Sequence, residues 1–520
     1  MKPLPSLVAC ILAAVFGALA VFGWAPFGWW PLALFSYAVL FLLVLYAGRP
    51  LQAGIIGLAF GVGLQFSGHN WVYAALHAKA GLGIVPAGFG TLVFVVYLAT
   101  FTAGPCWIFQ WLCRMSADRT EKTLSRIMCS ALFASLLTLG EWGRSLFFNG
   151  FTSLSLGYSL VDTWFAGYAP VVGLYGVSWT GTLASALMAL IPTRSNFERA
   201  IAMAGITGLS FIGWALGTLQ WTQAVGAPLS YRLIQANVAQ EKKFDPLYVR
   251  QQIVSLVEAI ERAPADIVAT PETAFPLFLN ELPADVLQRL QHFAEHTGSH
   301  IFAGIAITAA NADGYNSVLE IAPQPRPGGM ARYNKVRLMP FGEYSPAGFG
   351  WFTRSLSIPL KDMKAGDPGQ APLIVAARGE RQAIGTLICH EDLVGRDVAD
   401  RGKVVGLFLN PSNLAWFDDS LAIAQRLQIV RMRALETGRP ILRIANTGIT
   451  AHIGVRGEVI AQLPRAKSGV LTGTVQPVDG TTPFMKVSDT PAIALSVLTT
   501  LFALGRRRRQ PVPAVGEASV

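Results

Sequence analysis

Three stretches of the chain bring reactive side chains to the ends of apolar, strand-like runs. In Ile267-Val268-Ala269-Thr270-Pro271-Glu272 an apolar run delivers a carboxylate at its C-terminal end, where α/β proteins build their sites. The second stretch is Tyr333-Asn334-Lys335-Val336-Arg337, followed by Pro340-Phe341-Gly342-Glu343-Tyr344. The third, Gly385-Thr386-Leu387-Ile388-Cys389-His390-Glu391, ends a hydrophobic strand on a cysteine that stands alone in the polar half of the chain. A thiol reacts as its thiolate, so it needs a base or a positive charge beside it. Glu272 can be that base, and Lys335 can offset charge developing on a carbonyl oxygen. Taken singly, each has an ordinary explanation. A cysteine at a strand end packs as a small hydrophobe, a Pro-Glu pair caps a helix, and a lysine after a strand is solvated.

No metal or organic cofactor is expected. No zinc spacing of the CxxC type occurs. His292, His296 and His300 are spaced to line one helix face, but no acidic or cysteine partner set accompanies them, so they read as a solvated face.

Composition describes what must carry these residues. Hydrophobic residues make up 52% of the 520 and charged residues 14%, against about 25% charged in a soluble domain. Residues 1–221 are almost uncharged between short loops, while 222–488 have ordinary soluble composition. The net charge of +10 does not indicate nucleic-acid binding, because no basic face interleaved with aromatics appears. Part of it is the run Arg506 to Arg509 beside an apolar segment, where charge fixes membrane orientation.

A bilayer core of about 30 Å takes about 20 apolar residues per helix. Eight segments qualify: 8–24, 29–47, 52–76, 83–112, 127–147, 168–192, 200–221 and the shorter 491–505. The first resembles a signal peptide, but Gly23-Trp24-Ala25-Pro26-Phe27 has no A-x-A cleavage site, so it reads as retained. With a cytoplasmic N-terminus, one set of short loops holds Lys2, Arg49, Arg114, Arg119, Lys122, Arg126, Arg194, Arg199 and the arginine run. The opposite loops hold only Lys79 and Arg144. The positive-inside rule then puts the polar domain outside the cytoplasm and both termini within it. Glu141, Trp142 and Arg144 read either as a functional group within the membrane or as a Glu141–Arg144 i, i+3 pair near the interface. His69 reads as helix glue or part of a lipid entry site.

The polar half alternates strand and helix signals, which predicts a layered α/β domain. Predicted strands are 231–238, 266–270, 300–307, 317–321, 383–389, 404–410, 441–445 and 451–455; predicted helices are 246–262, 284–297 and 419–437. The last helix follows Asp418-Asp419-Ser420 and stops at Gly438 with Pro440 beyond.

With these motifs in this order, the chain resembles the nitrilase superfamily, whose catalytic set is Glu–Lys–Cys. More narrowly it resembles the apolipoprotein N-acyltransferases over nearly its whole length. In the membrane part the resemblance rests on Ala25-Pro26-Phe27, Trp71-Val72-Tyr73, Glu141-Trp142 and Tyr175-Gly176. In the polar part it rests on Pro271-Glu272-Thr273, Tyr333-Lys335, Pro340-Phe341-Gly342-Glu343, Cys389-Glu391, Ala415-Trp416-Phe417, Arg431-Met432-Arg433-Ala434-Leu435-Glu436, Gly438-Arg439-Pro440 and Asn446-Thr447-Gly448.

The resemblance implies a multi-pass helical membrane bundle of about eight spans plus a nitrilase-like αββα sandwich. It divides the chain into a membrane domain (1–221), a periplasmic catalytic domain (222–488), an eighth span (489–505) and a basic cytoplasmic tail (506–520). It implies a bacterial inner-membrane enzyme, working as a monomer, that moves an acyl chain from a phospholipid to the α-amine of a diacylglyceryl apolipoprotein. Cys389 would be the nucleophile, Glu272 the general base and Lys335 the oxyanion stabiliser. Glu343 would be a second acid, and Glu391, Tyr344 and His390 would support the site. Arms at Trp416-Phe417 and at 344–365, including Trp351 and Phe352, would be apolar lids. The sequence departs from the family at His390, where tyrosine is frequent, at Phe244 in place of tryptophan, and at Leu414 and Asp418. Two rival readings use the same residues: a membrane-tethered amidase with water as acceptor, and a non-enzymatic transporter or scaffold. Seven spans are excessive for an anchor, and a complete Glu–Lys–Cys set argues against a degenerate domain.

Overall fold

The computed structural model describes residues 6–113, 122–192, 195–308, 314–324, 329–354, 356, 362–417 and 419–508. Lys2, Arg114, Arg119, Arg194, Asp418, part of the 344–365 arm and the tail from 509, all used in the sequence reading, lie outside these.

Each of the eight apolar segments is helical: Ser6–Ala20, Trp30–Leu45, Pro50–His69, Ile84–Cys113, Lys122–Arg144, Ala169–Met188, Asn196–Thr218 and Thr490–Arg508. Among the described residues, five helical stretches, Ser6–Gly23, Pro50–His69, Ile84–Cys113, Trp164–Met188 and Asn196–Thr218, are long and apolar enough to cross a membrane. Trp30–Leu45 and Thr490–Arg506 are apolar but shorter. Their outward faces stay apolar: Val85 is 80% exposed and Phe211 62%, which lipid tolerates and water does not. Inside the bundle, small residues let backbones touch. A Cβ on Gly63 would stand 2.1 Å from the Ala14 carbonyl oxygen, so glycine alone permits that contact.

The Arg144 charge acts on Glu141, but both hydrogen-bond to the loop beyond rather than to each other. Both hold the loop after their helix: Glu141 Oε1 accepts from Leu156 N at 2.8 Å, and Arg144 Nη2 donates to Ser155 Oγ at 3.0 Å and to Thr152 O at 3.3 Å. That loop carries Asn149 and Thr152, which donate to Leu338 O and Leu393 O of the polar half. His69 is buried and bonds Ser153 of the same loop at 3.1 Å.

The polar half is a stack of four layers. One sheet runs Gly469–Val475, Leu229–Gln235, Ile267–Ala269, His300–Thr308, Gly314–Ile321 and Arg332–Asn334, with Phe275–Phe278 also on His300–Thr308. The other runs Val459–Gln462, Ala451–Ile453, Ile441–Ala445, Leu407–Ser412, Glu380–Thr386 and Leu373–Ala377. A dry layer containing Leu233, Ile267, Phe302, Val375, Ile384, Leu409 and Ile444 joins the two sheets. Helices Pro246–Glu261 and Ala284–Thr297 cover the first sheet through Val257, Ile260, Leu290 and Ala294. Leu421–Thr437 covers the second through Val430 and Ala434, while its Ile429, Met432 and Leu435 pack into the membrane bundle's core. One helix therefore serves two cores and seats the sandwich on the bundle. Its ends are those expected: Ser420 Oγ accepts from Ala422 N, and Gly438 stops it at φ 59°.

Two readings of this half change. His300 is not on a helix with His292 and His296; it begins a strand, is buried, and bonds Glu320 at 2.8 Å. Gly298, at φ 74°, ends the helix before it. The strand expected to reach Cys389 stops at Thr386, and Cys389 opens a 3-10 turn, Cys389–Leu393.

Candidate active site

The strand Ile267–Ala269 pairs in parallel with both neighbours and then turns at Pro271-Glu272-Thr273. The turn lies directly on the next strand. Gly304 N donates to Thr270 Oγ1 at 3.0 Å, and a Cβ on Gly304 would be 2.0 Å from the Pro271 carbonyl oxygen. Thr273 is in the left-handed region at φ 47°, a conformation a threonine adopts only when its surroundings enforce it.

Here the Glu272 carboxylate is buried and fully engaged. Its Oε1 accepts from Lys335 Nζ and from Asn316 Nδ2, each at 2.8 Å, and its Oε2 accepts from the backbone N of Asn413 at 2.8 Å. Lys335 follows the strand Arg332–Asn334 and is 1% exposed. It makes a second ion pair with Glu343 Oε2, also at 2.8 Å. Asn316 Nδ2 bonds Glu343 as well, at 2.6 Å, so one lysine and one amide hold both carboxylates.

Cys389 sits at φ 47° after the Glu380–Thr386 strand, which pairs in parallel with Leu407–Ser412. Glu391 shapes this turn and ties it to the lysine segment. Its Oε2 accepts from Ile388 N at 2.7 Å, and its Oε1 accepts from Tyr333 OH at 2.7 Å and Val336 N at 2.9 Å. Arg426 Nη2 donates to the Cys389 carbonyl at 2.7 Å. The C-terminal ends of strands from both sheets thus converge on one place.

The charges there are mutually dependent. Cys389 keeps some accessible surface, yet burial and then the Glu272 charge push its thiol up to about 12, against the opposing pull of Lys335 and Arg426. The resting thiol is therefore neutral and has to surrender its proton to react. Burial works to raise Glu272, but the Lys335 charge and hydrogen bond, the Lys243 charge and the Asn316 amide outweigh it and hold the carboxyl below its usual range. Burial works to lower Lys335, and the charges of Glu272, Glu343 and Cys389 outweigh it, so the ammonium is held above its ordinary value.

Near this cluster a wall of aromatic rings joins the polar half to the membrane part. Phe417, in the turn Ala415–Phe417, lies 4.5 Å from Trp71 between ring centroids. Phe341 contacts Phe148, Phe349 and Phe352 at 6.1, 5.4 and 5.8 Å. Phe341 and Phe352 also pack with Leu82 and Ala87 of the membrane part.

A family described as carbon-nitrogen hydrolase matches residues 231–482, and the apolipoprotein N-acyltransferase N-terminal domain matches residues 16–187. The chain is 38% identical to the apolipoprotein N-acyltransferase of Ralstonia nicotianae, over 96% of this chain and 93% of that one. It is 35% identical to the apolipoprotein N-acyltransferase of Azotobacter vinelandii, over 97% of each. The chain belongs to the apolipoprotein N-acyltransferase family. Among solved structures, an amidase from Nesterenkonia sp. aligns at 16% identity over 49% of this chain and 92% of its own, with a TM-score of 0.36.

In this chain, Glu272, Lys335, Glu343, Cys389 and Glu391 fall within one connected cluster. The other residues singled out in the sequence lie around it. Tyr344 packs with Ala306, Leu338 and Met363. His390 is buried, accepts no partner at Nε2, and is held neutral by burial and then by Arg426 and Lys335, while bonding the Asn149 backbone of the membrane part. Trp416 and Phe417 share one turn at the wall, and Trp351 is 67% exposed beside Phe352. Four contributors were missed: Asn316, Asn413, Arg426 and Lys243. Asn413 follows the end of a parallel strand, a position that could have drawn attention. Asn316 lies mid-strand and Arg426 mid-helix, where the local pattern carries no signal.

Proposed function

We propose that the chain transfers an acyl chain from a membrane phospholipid to the α-amino group of the N-terminal S-diacylglyceryl-cysteine of an apolipoprotein, through a thioester on Cys389. The arrangement that carries this reading is a neutral thiol beside a carboxylate already charged and held by Lys335, behind an aromatic wall that meets apolar helices.

Glu272 takes the Cys389 proton as sulfur attacks the ester carbonyl, and Lys335 offsets the oxyanion. The lysophospholipid leaves as an alcohol, carrying the proton back from Glu272. The α-amine then attacks the thioester and gives its proton to Glu272, the amide forms, and the cysteine leaves and is reprotonated. Glu343 shares Lys335 with Glu272 and keeps the lysine charged through both halves. Phe417, Trp416, Phe352 and Trp351 grip acyl chains and exclude water from the thioester.

Incubation with labelled phospholipid alone should put label on Cys389 and release lysophospholipid. Neutral hydroxylamine should remove that label. A diacylglyceryl-cysteine peptide should discharge it, and an N-acetylated one should not. Product formation without any hydroxylamine-labile label would show direct transfer instead.

The same reading assigns residues 1–221 to seven spans, 222–488 to a periplasmic catalytic domain, 489–505 to an eighth span and 506–520 to a cytoplasmic tail, in the bacterial inner membrane. The Lys/Arg asymmetry of the loops supports it. Reporters fused near residues 120 and 515 should read cytoplasmic and one near 300 should not. A cytoplasmic signal at 300 would reverse the orientation.

A further inference from the structure

The reaction scheme assigns no part to Lys243, although it is buried almost as completely as Lys335. It ends the four-residue helix Gln240–Lys243 and is 3% exposed. Burial pushes its ammonium down to about 8, against the opposing pull of Glu272 and Cys389. A lysine kept in such a place is held by partners, and its partners are specific. Nζ donates to the Glu272 carbonyl oxygen at 3.0 Å and to Thr273 Oγ1 at 2.6 Å. It therefore grips the backbone and side chain of the two residues around which the chain enters the left-handed region. The Glu272 carboxylate itself is occupied by Lys335, Asn316 and Asn413, so Lys243 touches the turn and not the reacting oxygens.

The rest of its helix anchors this grip from two sides. Gln240 Oε1 accepts from Asn413 Nδ2 at 3.1 Å, and Asn413 also supplies the backbone N–H to Glu272 Oε2. Glu241 pairs with Lys79, which ends the π-helical turn Ala75–Lys79 of the membrane part. The clamp is thus tied both to the far side of the Glu272 carboxylate and to the membrane half.

We propose that Lys243 is a positioning residue for acyl transfer: it pins the left-handed Glu272–Thr273 turn so that the carboxylate points at Lys335 and Cys389. This rests on the reading of Glu272 as the base. An unpinned Thr273 is freer to relax toward the ordinary β or α regions, because its left-handed conformation costs free energy that the two Lys243 hydrogen bonds help to offset. The carboxylate then moves away from the thiol it must deprotonate, and misplacement of about 1 Å costs about 100-fold in rate.

The test follows the first half-reaction alone, as lysophospholipid released per enzyme from labelled phospholipid in detergent micelles. Lys243→Met should lower the maximal acylation rate by about 100-fold and leave the phospholipid concentration for half-maximal rate unchanged. Thr273→Gly in the Lys243→Met background should recover at least about tenfold, because glycine holds a positive φ without a clamp. A lysine that only stabilised the fold would not be rescued by easing the one backbone angle, at Thr273, that its hydrogen bonds hold. If Lys243→Met does not fold, the double variant and Lys243→Gln, which keeps a donor without the charge, are compared with wild type in its place. Acylation by Lys243→Met at the wild-type rate, a loss confined to half-saturation, or no recovery on adding Thr273→Gly would each overturn the proposal. A wild-type enzyme that forms no thioester would overturn the underlying reaction scheme, and is thereby told apart from a failure of the clamp.

Discussion

Cys389→Ala is expected to bring transfer down to background, a loss on the order of 10⁶-fold, as when other enzymes lose a nucleophile. The substitution removes the sulfur and little else. Glu391 and Arg426 hold the turn through the Ile388 and Cys389 backbone, and neither contact involves the thiol. Alanine takes the φ of 47° at a cost similar to that of cysteine, so the variant should fold and melt close to wild type. It should still bind phospholipid, since the aromatic wall is untouched. The measurement is hydroxylamine-labile label together with lysophospholipid release. Serine at this position should be nearly as inactive, because its hydroxyl is a far weaker acid than a thiol and Glu272 is held below its usual range. Turnover within a few-fold of wild type in Cys389→Ala would remove the cysteine from the mechanism.

Lys335→Met carries the second large effect, and it should appear in both rate and stability. Loss of an oxyanion donor costs about 100-fold or more in rate. The lysine is also the cation shared by Glu272 and Glu343, which are both largely buried. Removing it leaves two carboxylates facing each other across Asn316, and breaking a buried pair in this way costs about 3–5 kcal/mol. The sign of the pH dependence follows from Glu272. Its folded value is depressed, so its ion pair stabilises the protein above the unfolded carboxyl value and loses that contribution as pH falls through the folded one. In Lys335→Met that contribution is gone, and a buried carboxylate now titrates upward. The gap in thermal stability between wild type and variant should be widest near about pH 7 and narrow on acidification toward about pH 4. A gap that widened instead would show that Lys335 does not hold Glu272 in its charged form.

The eight apolar segments were legible residue by residue along the chain, because a run of about 20 apolar residues states its preference without help from distant residues. The cap at Ser420 and stop at Gly438 were equally local, and so was the arrival of Glu272 after an apolar strand. Motif order then brought Glu272, Lys335 and Cys389 into one hypothesis. Local pattern did not decide what each of them touches. Glu272 meets Asn316, Lys335 and Asn413 across 44, 63 and 141 residues of chain, and strand pairing within one sheet and the stacking of the two sheets set those meetings. His300 kept the spacing of a helix face, but Gly298 had already ended the helix, and the buried strand claimed it. Glu141 and Arg144 had the spacing of an ion pair, yet both hydrogen-bond to the loop at 152–156, whose polar groups need partners. Gly304 and Lys243 gave no local sign of importance. The tertiary structure lays the Glu272 turn on the one and under the grip of the other, because a strained turn needs room beneath it and a partner to hold it there.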